Sequence, residues 1–179
     1  VFIQCVGSRD ERRPYCSRIC CTGSIMQAIG IKEKSPDTNV FILYRDIRTY
    51  GEREALYKKA RQLGVIFIRY SLENKPVVTE AGDTLEVTVF DPILQRQVRI
   101  SADLVNLASA IVPNENSKLA EMYKLPVNAE NFFMEAHAKL RPVDFASDGI
   151  FMCGLAHYPK STEESIAQAM AAASRAATV

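Results

Sequence analysis

Four of the five cysteines fall in one short stretch, CVGSRDERRPYCSRICC, which runs from Cys5 to Cys21. The spacing is C-x10-C-x3-C-C, and Arg9, Arg12, Arg13 and Arg18 are threaded through it. Four chemistries compete for such a cluster. Free thiols pack as small hydrophobes, which accounts for one or two cysteines but not for a group of four. Adjacent Cys20 and Cys21 pair as a disulfide only with strain, and an odd, clustered set of cysteines is unlike a secreted disulfide framework. Structural zinc usually takes its thiolates from paired C-x2–4-C knuckles, which this spacing lacks. An iron–sulfur cluster needs Cys thiolates around a cube and tolerates varied spacing. On the residues alone this reading is favoured, with the other three left open.

The elements around the cysteines sharpen the geometry. VFIQCV (1–6) is apolar and β-branched and reads as a buried strand, with Cys5 at its carboxyl end. Residues 7–15 form a polar, Arg-rich loop, and 17–32 read as a helix with Ile19, Ile25, Met26 and Ile29 on its apolar face. Cys16 precedes this helix, and Cys20 and Cys21 lie in its first turn. In an open α/β sheet, ligands bind at the carboxyl ends of the strands. Helical neighbours point about 100° apart, so Cys20 and Cys21 serve one cube only if it sits over the helix N-terminus. Free N–H groups and the positive dipole end would then face an anionic cluster. The four arginines would favour its reduced state; the alternative is a solvated loop.

A second stretch, FMCGLAHYPKSTEES (151–165), joins an apolar strand to a helix. Ser161 and Glu164 have capping-box spacing, and His157 and Lys160 stand just before the helix. Such an N-terminus receives acceptor groups of a ligand. The plainer reading is a well-capped terminal helix with a chance Lys and His, and Cys153 reads as core.

The rest of the chain supplies the scaffold. Strands are expected at 40–46 and 65–70, with an amphipathic helix over 52–63 stopped by Gly64. A β-α-β-α-β order with short loops argues a parallel sheet with right-handed crossovers. DTLEVTVFD and RQVRISA alternate apolar and polar residues and read as an antiparallel hairpin or meander. ADLVNLASAIVPN returns to a strand, 117–123 is a short helix, 125–148 is mostly irregular, GIFMCG (149–154) is the last strand, and an Ala-rich helix closes the chain. The expected class is α/β: a Rossmann-like parallel sheet with helices on both faces plus an antiparallel β-meander. The expected division is a Rossmann-like α/β subdomain at 1–112, which carries the cysteine cluster, and a second part at 113–179.

With 47% hydrophobic and 24% charged residues, the 179-residue chain has ordinary globular composition. A net charge of +1 gives no sign of a nucleic-acid partner. No apolar run approaches the roughly 20 residues of a membrane span, and no signal peptide is visible. The cysteine usage points to a reducing, cytoplasmic compartment. The chain opens on Val1 in strand-like VFIQCVGS without an initiator Met, and reads as part of a longer polypeptide.

QCVGSRDERRPYCSRICC and GIFMCGLAHYPKSTEESIAQAMAAASRAA, with VFILYRDIRTYGEREALYKKARQLGVIFIRY between them, resemble the flavin- and iron–sulfur-containing A-subunit of heterodisulfide reductase. The chain is also similar to relatives in quinone-interacting oxidoreductase complexes. The resemblance covers nearly all of this chain but only part of the family's full-length polypeptide. It implies a [4Fe–4S] cluster on Cys5, Cys16, Cys20 and Cys21. It further implies FAD in a thioredoxin-reductase-like fold, with Gly154, Ala156, His157, Lys160 and Ser161 at the flavin end and Lys160 near the ring. GLAH stands where many such flavoproteins have Gly-Asp. The implied activity is electron transfer between flavin and iron–sulfur centres, as part of an oxidoreductase with other subunits as partners. The family's G-x-G-x-x-G fingerprint and ferredoxin-type cysteine repeats do not occur in this sequence. The chain alone is therefore expected to bind FAD weakly or not at all and to be inactive by itself. A zinc- or thiol-stabilised α/β binding module without a redox role is the alternative.

Overall fold

A computed structural model describes residues 1–178. It divides into two compact units, one of Val1–Ala110 and one beginning at Ile111.

The first unit is built on a parallel sheet. Its elements in chain order are β1 (Phe2–Val6), α1 (Cys20–Lys34), β2 (Phe41–Tyr44), α2 (Glu54–Gln62), β3 (Ile66–Arg69), β4 (Val77–Ala81), β5 (Thr84–Asp91), β6 (Arg96–Ala102) and β7 (Asn106–Ser109). Strands β3-β2-β1-β7 lie side by side, all parallel, and β4-β5-β6 form a separate antiparallel sheet. The α/β class, the parallel sheet and the meander are as the sequence pattern predicts.

The layering follows from chain direction. The crossovers β1-α1-β2 and β2-α2-β3 step the same way across the sheet, so right-handedness places both helices on one face. The return from β3 to β7 steps the opposite way, and its connection is the meander, which therefore covers the other face. Side-chain alternation agrees. Phe2 and Ile42 pack with Ile25, Ala28 and Ile29 of α1 and Ala60 of α2. Ile3 and Leu43, each one residue on, pack with Ile68 of β3 and with Val87, Val89 and Ile100 of the meander. The second face thus carries strands where a helical layer was expected. Each fully buried aliphatic side chain contributes roughly 1.5–3 kcal/mol, so the two clusters hold both layers firmly to the sheet.

Three local features differ from the sequence reading. The helix expected from residue 17 begins at Cys20, because Arg18 takes φ 64° and a left-handed residue cannot continue a right-handed helix. Its buried stripe is Cys21, Ser24, Ile25, Ala28 and Ile29, a continuous i, i+3, i+4, i+7, i+8 series. Ile19 and Met26, 40% and 57% exposed, lie off that stripe. Second, β4 escapes a burial-based reading because all five of its residues are exposed on a sheet edge after Pro76. Third, GIFMCG forms no strand: its pairing is a single antiparallel bridge, Phe151 with Asp144. Cys153, expected in the core, is exposed.

The second unit carries α3 (Ser117–Tyr123), a long irregular segment and α4 (Thr162–Ala176). Its core is Leu125, Phe133, Phe145 and Met152, with Phe133 and Phe145 edge to face at 5.7 Å. The buried Asp144 carboxylate accepts from Arg175 at 3.0 and 3.2 Å and ties the irregular segment to α4.

Candidate functional site

Cysteines 5, 16, 20 and 21 gather at the carboxyl end of β1 and the start of α1. Between Ile3 and Val6 the register of β1 against β7 slips, and within that slip Cys5 takes φ 59°. Such an irregularity bends the strand and re-aims a side chain. The chain then doubles back through a tight loop: the Arg9 N–H donates to the Tyr15 carbonyl at 3.0 Å, and the Asp10 side chain accepts from the Arg13 N–H at 2.8 Å. Cys16 lies in the turn before α1, its sulfur accepting from the Arg18 N–H at 3.3 Å. Cys20 and Cys21 open α1, and the N-cap residue, Ile19, gives it no side-chain cap.

The thiols of Cys5, Cys20 and Cys21 are shifted by their cysteine neighbours. Burial pushes the Cys5 thiol up, and Cys21 and Cys16 push it further, against the pull of Arg9. Cys20 donates to Cys21, which raises Cys20 strongly and lowers Cys21; Arg48 and Arg9 help to lower it. The Cys21 sulfur also lies 3.7 Å from the Asp46 carbonyl, at the end of β2. Among the described residues, no three His, Cys, Asp or Glu side chains have converged to metal-ligand distances. The donor chemistry fits a thiophilic, anionic group. Four thiols on a bulge and an uncapped helix start crowd one another, and metal binding would relieve that crowding by deprotonating them together.

The loop arginines divide. Arg12 is solvated, whereas Arg9 lies 15% exposed and pairs with Asp46 at 2.5 Å. Arg69 reaches Asp46 at 3.5 Å and donates to the Arg45 carbonyl at 3.0 Å. The phenol of Tyr70, pushed up to about 12 chiefly by burial, donates to the Gln4 carbonyl at 2.5 Å. Asp46 and Tyr70 were not legible as site residues, because each reaches the cysteines only through the sheet.

The second stretch builds a polar network in the second unit. Gly154 takes φ 70°, a conformation suited to glycine, and its N–H donates to Gln168 Oε1 at 2.9 Å. The Ala156 carbonyl accepts from the Phe133 N–H at 3.0 Å. His157 Nε2 meets Glu135 Oε2 at 2.8 Å, and its Nδ1 meets Gln168 Nε2 at 2.8 Å. With Nδ1 accepting from the amide, the ring proton is assigned to Nε2, donating to Glu135. Burial pushes His157 below its ordinary value. Lys160, 4% exposed, contacts Gln168 Oε1 and His157 Nδ1 and lies 4.1 Å from the Tyr158 ring centre. Ser161 caps α4: its hydroxyl accepts from the Glu164 N–H at 3.2 Å, and its own N–H donates to Glu164 Oε2 at 2.8 Å. The capping box was legible from spacing; Glu135 and Gln168 were not, since neither belongs to a local motif.

The chain has close relatives in sequence. It is 42% identical over 179 residues to a protein of Archaeoglobus profundus that is like the heterodisulfide reductase A-subunit, covering 98% of this chain and 25% of that one. It is 44% identical over 182 residues to the iron-sulfur A-subunit of the CoB–CoM heterodisulfide reductase of Methanocaldococcus jannaschii, covering 97% and 27%. It is 42% identical over 182 residues to the A-subunit of the ferredoxin:CoB-CoM heterodisulfide reductase of Methanosarcina acetivorans, covering 98% and 22%. No protein-family model matches the chain. Among solved structures, thioredoxin reductase of T. acidophilum aligns with TM-score 0.57 at 18% identity, over 99% of this chain and 49% of that one. The HOCl-induced flavoprotein disulfide reductase RclA of Escherichia coli aligns with TM-score 0.59 at 14% identity, over 93% and 33%. These two show the thioredoxin-reductase-like fold. Spanning about a quarter of the length of its curated relatives, the chain belongs to the family of heterodisulfide reductase A-subunits.

Proposed function

We propose that the chain serves an oxidoreductase of heterodisulfide reductase type by carrying electrons between flavin and iron–sulfur centres. Cys5, Cys16, Cys20 and Cys21 are the proposed ligands of a [4Fe–4S] cluster, and residues 154–161 the proposed flavin-facing end of the polypeptide. A cluster supplies one-electron transfer when bound, and a flavin adds two-electron chemistry. The observation that carries the reading is the placing of four thiols at one strand end and one helix start, with the Arg9 guanidinium and the Asp46 carbonyl beside them.

This chain's residues have separate tasks in that reading. The bulge at Cys5 and the left-handed Arg18 aim thiols from the strand and the pre-helix turn toward the α1 terminus. Arg9 and Arg48 supply compensating positive charge. Lys160 offers positive charge toward a reduced flavin, held by Tyr158 and Gln168, while His157, Gly154, Ala156 and Ser161 set the loop that presents it. FAD is proposed to need more of the full-length polypeptide than this chain spans, since G-x-G-x-x-G does not occur here. Other subunits of the complex are the proposed partners and the cytoplasm the proposed location; no described helix is long and apolar enough to cross a membrane.

Metal analysis of anaerobically purified protein tests the reading. The expected result is iron and sulfide in cluster ratio with broad absorption near about 400 nm, lost in Cys16→Ser and Cys21→Ser. Iron retained by both variants at the parent level, or tight zinc with no visible band, overturns it.

A further inference from the structure

Arg9 is built differently from the other loop arginines. Its backbone is in the left-handed region at φ 57°, fixed by the bond from its N–H to the Tyr15 carbonyl and by Arg45, which donates to its carbonyl. Its guanidinium is clamped to Asp46 at 2.5 Å, and its Nη1 is buried without a hydrogen-bond partner of its own. The side chain lies against Cys5, and each group's charge acts on the other. Asp46 faces both ways: its carboxylate holds Arg9 while its carbonyl accepts from Cys21. One residue at the end of β2 therefore fixes a cation beside a thiol from β1 and contacts a thiol from α1.

The exposures of the two partners decide the net field. The Arg9 side chain is 15% exposed and that of Asp46 45%. Water screens the carboxylate more than the guanidinium, so the pair does not cancel at the thiols. Arginine also keeps its charge at any working pH. A fixed cation beside a metal–thiolate centre favours the form with one more electron.

We propose that Arg9, clamped by Asp46 against Cys5, is a tuning residue that sets the reduction potential of the metal centre held by Cys5, Cys16, Cys20 and Cys21. The inference rests on the cluster assignment made above. It separates Arg9 from Arg12, which is solvated and sets nothing.

The test is a redox titration of the anaerobically purified full chain, with dithionite supplying one electron per centre and electron paramagnetic resonance reading the reduced form. At the parent's midpoint, Arg9→Gln is expected to lower the reduced-to-oxidised ratio about tenfold, equivalent to about 59 mV for a one-electron couple. Asp46→Asn is expected to raise that ratio, since the cation stays and its counter-charge goes. Arg9→Lys, which keeps the charge, is expected to hold the ratio near the parent's, and Arg12→Gln to leave it unchanged. Should Arg9→Gln lose its iron, the raised ratio in Asp46→Asn against the unmoved ratio in Arg9→Lys carries the test. Full iron in every variant with unmoved midpoints, or shifts of one sign in both Arg9→Gln and Asp46→Asn, overturns the inference alone. A parent without iron removes the cluster assignment instead.

Discussion

Two helix starts in this molecule follow turns rich in candidate site residues, and they are finished in opposite ways. At α4 the end is closed upon itself: Ser161 and Glu164 satisfy each other's backbone, and Glu163 and Glu164 bring negative charge to the positive dipole end. At α1 the N-cap residue, Ile19, gives no side-chain cap, the first turn holds no acid, and the residues there are Cys20 and Cys21. The first-turn N–H groups and dipole thus meet a pair of thiols at α1 and a capping box at α4. The comparison separates a helix start prepared for a ligand from one prepared for stability. It also moves the ligand-facing burden in the second unit from the helix end to Lys160 and its neighbours.

If α1 has no cap of its own, packing must hold it in place, and breaking that packing should have the largest effect. Ile25 is fully buried between α1 and the sheet. Ile25→Ala is expected to cost about 2–5 kcal/mol in urea unfolding and to lower iron retention, because the cage loses its floor. Met26→Ala, one residue round the helix and 57% exposed, should change stability by less than about 0.5 kcal/mol. Equal losses from the two variants would mean that the helix phase is wrong, and with it the placement of Cys21.

The complementary change strikes α4. Ser161→Ala removes one half of the capping box and is expected to cost about 1 kcal/mol, read as faster amide exchange in the first turn of α4. Iron content should not move. A loss of iron in this variant would break the distinction between the two helix starts.

What the sequence made legible tracks how local each signal is. The strands around Ile3, Ile42 and Ile68 announce themselves as short apolar runs, and the cysteines as a spacing within one loop and one turn. The phase of α1 stays hidden because Arg18 breaks the helical path, and nothing in its neighbours' polarity says so. The strand at Val77–Ala81 buries no residue, so it has no alternation to detect. GIFMCG has a strand's composition but finds a single bridge partner. The meander's place on the sheet follows from crossover direction, which only the strand order reveals. At the candidate sites, Asp46, Gln168 and Glu135 stayed hidden because each is brought in by the fold from another element.

Acidification should produce the smallest effect and should act on the two regions in sequence. Burial lowers His157 below its ordinary value of 6.5, with the charge of Lys160 assisting and Glu135 opposing. Between that lowered value and 6.5 the unfolded chain binds a proton that folded His157 refuses, so the network's stability falls as pH drops through this window. Glu135 is also held low: burial pushes it up, but its own backbone N–H and His157 outweigh burial, so its contribution is lost only below 4.5. Near the cysteines, Arg9 holds the Asp46 carboxylate below its ordinary 3.8, and that contribution survives until the pH falls below that value. The protection factor of the Gly154 amide, whose N–H is tied to Gln168, should therefore fall as the pH drops below 6.5, while the Arg9 amide, tied to Tyr15, holds its protection. Simultaneous loss at both amides would show that the His157 network does not titrate independently, and the neutral-imidazole assignment would fall with it.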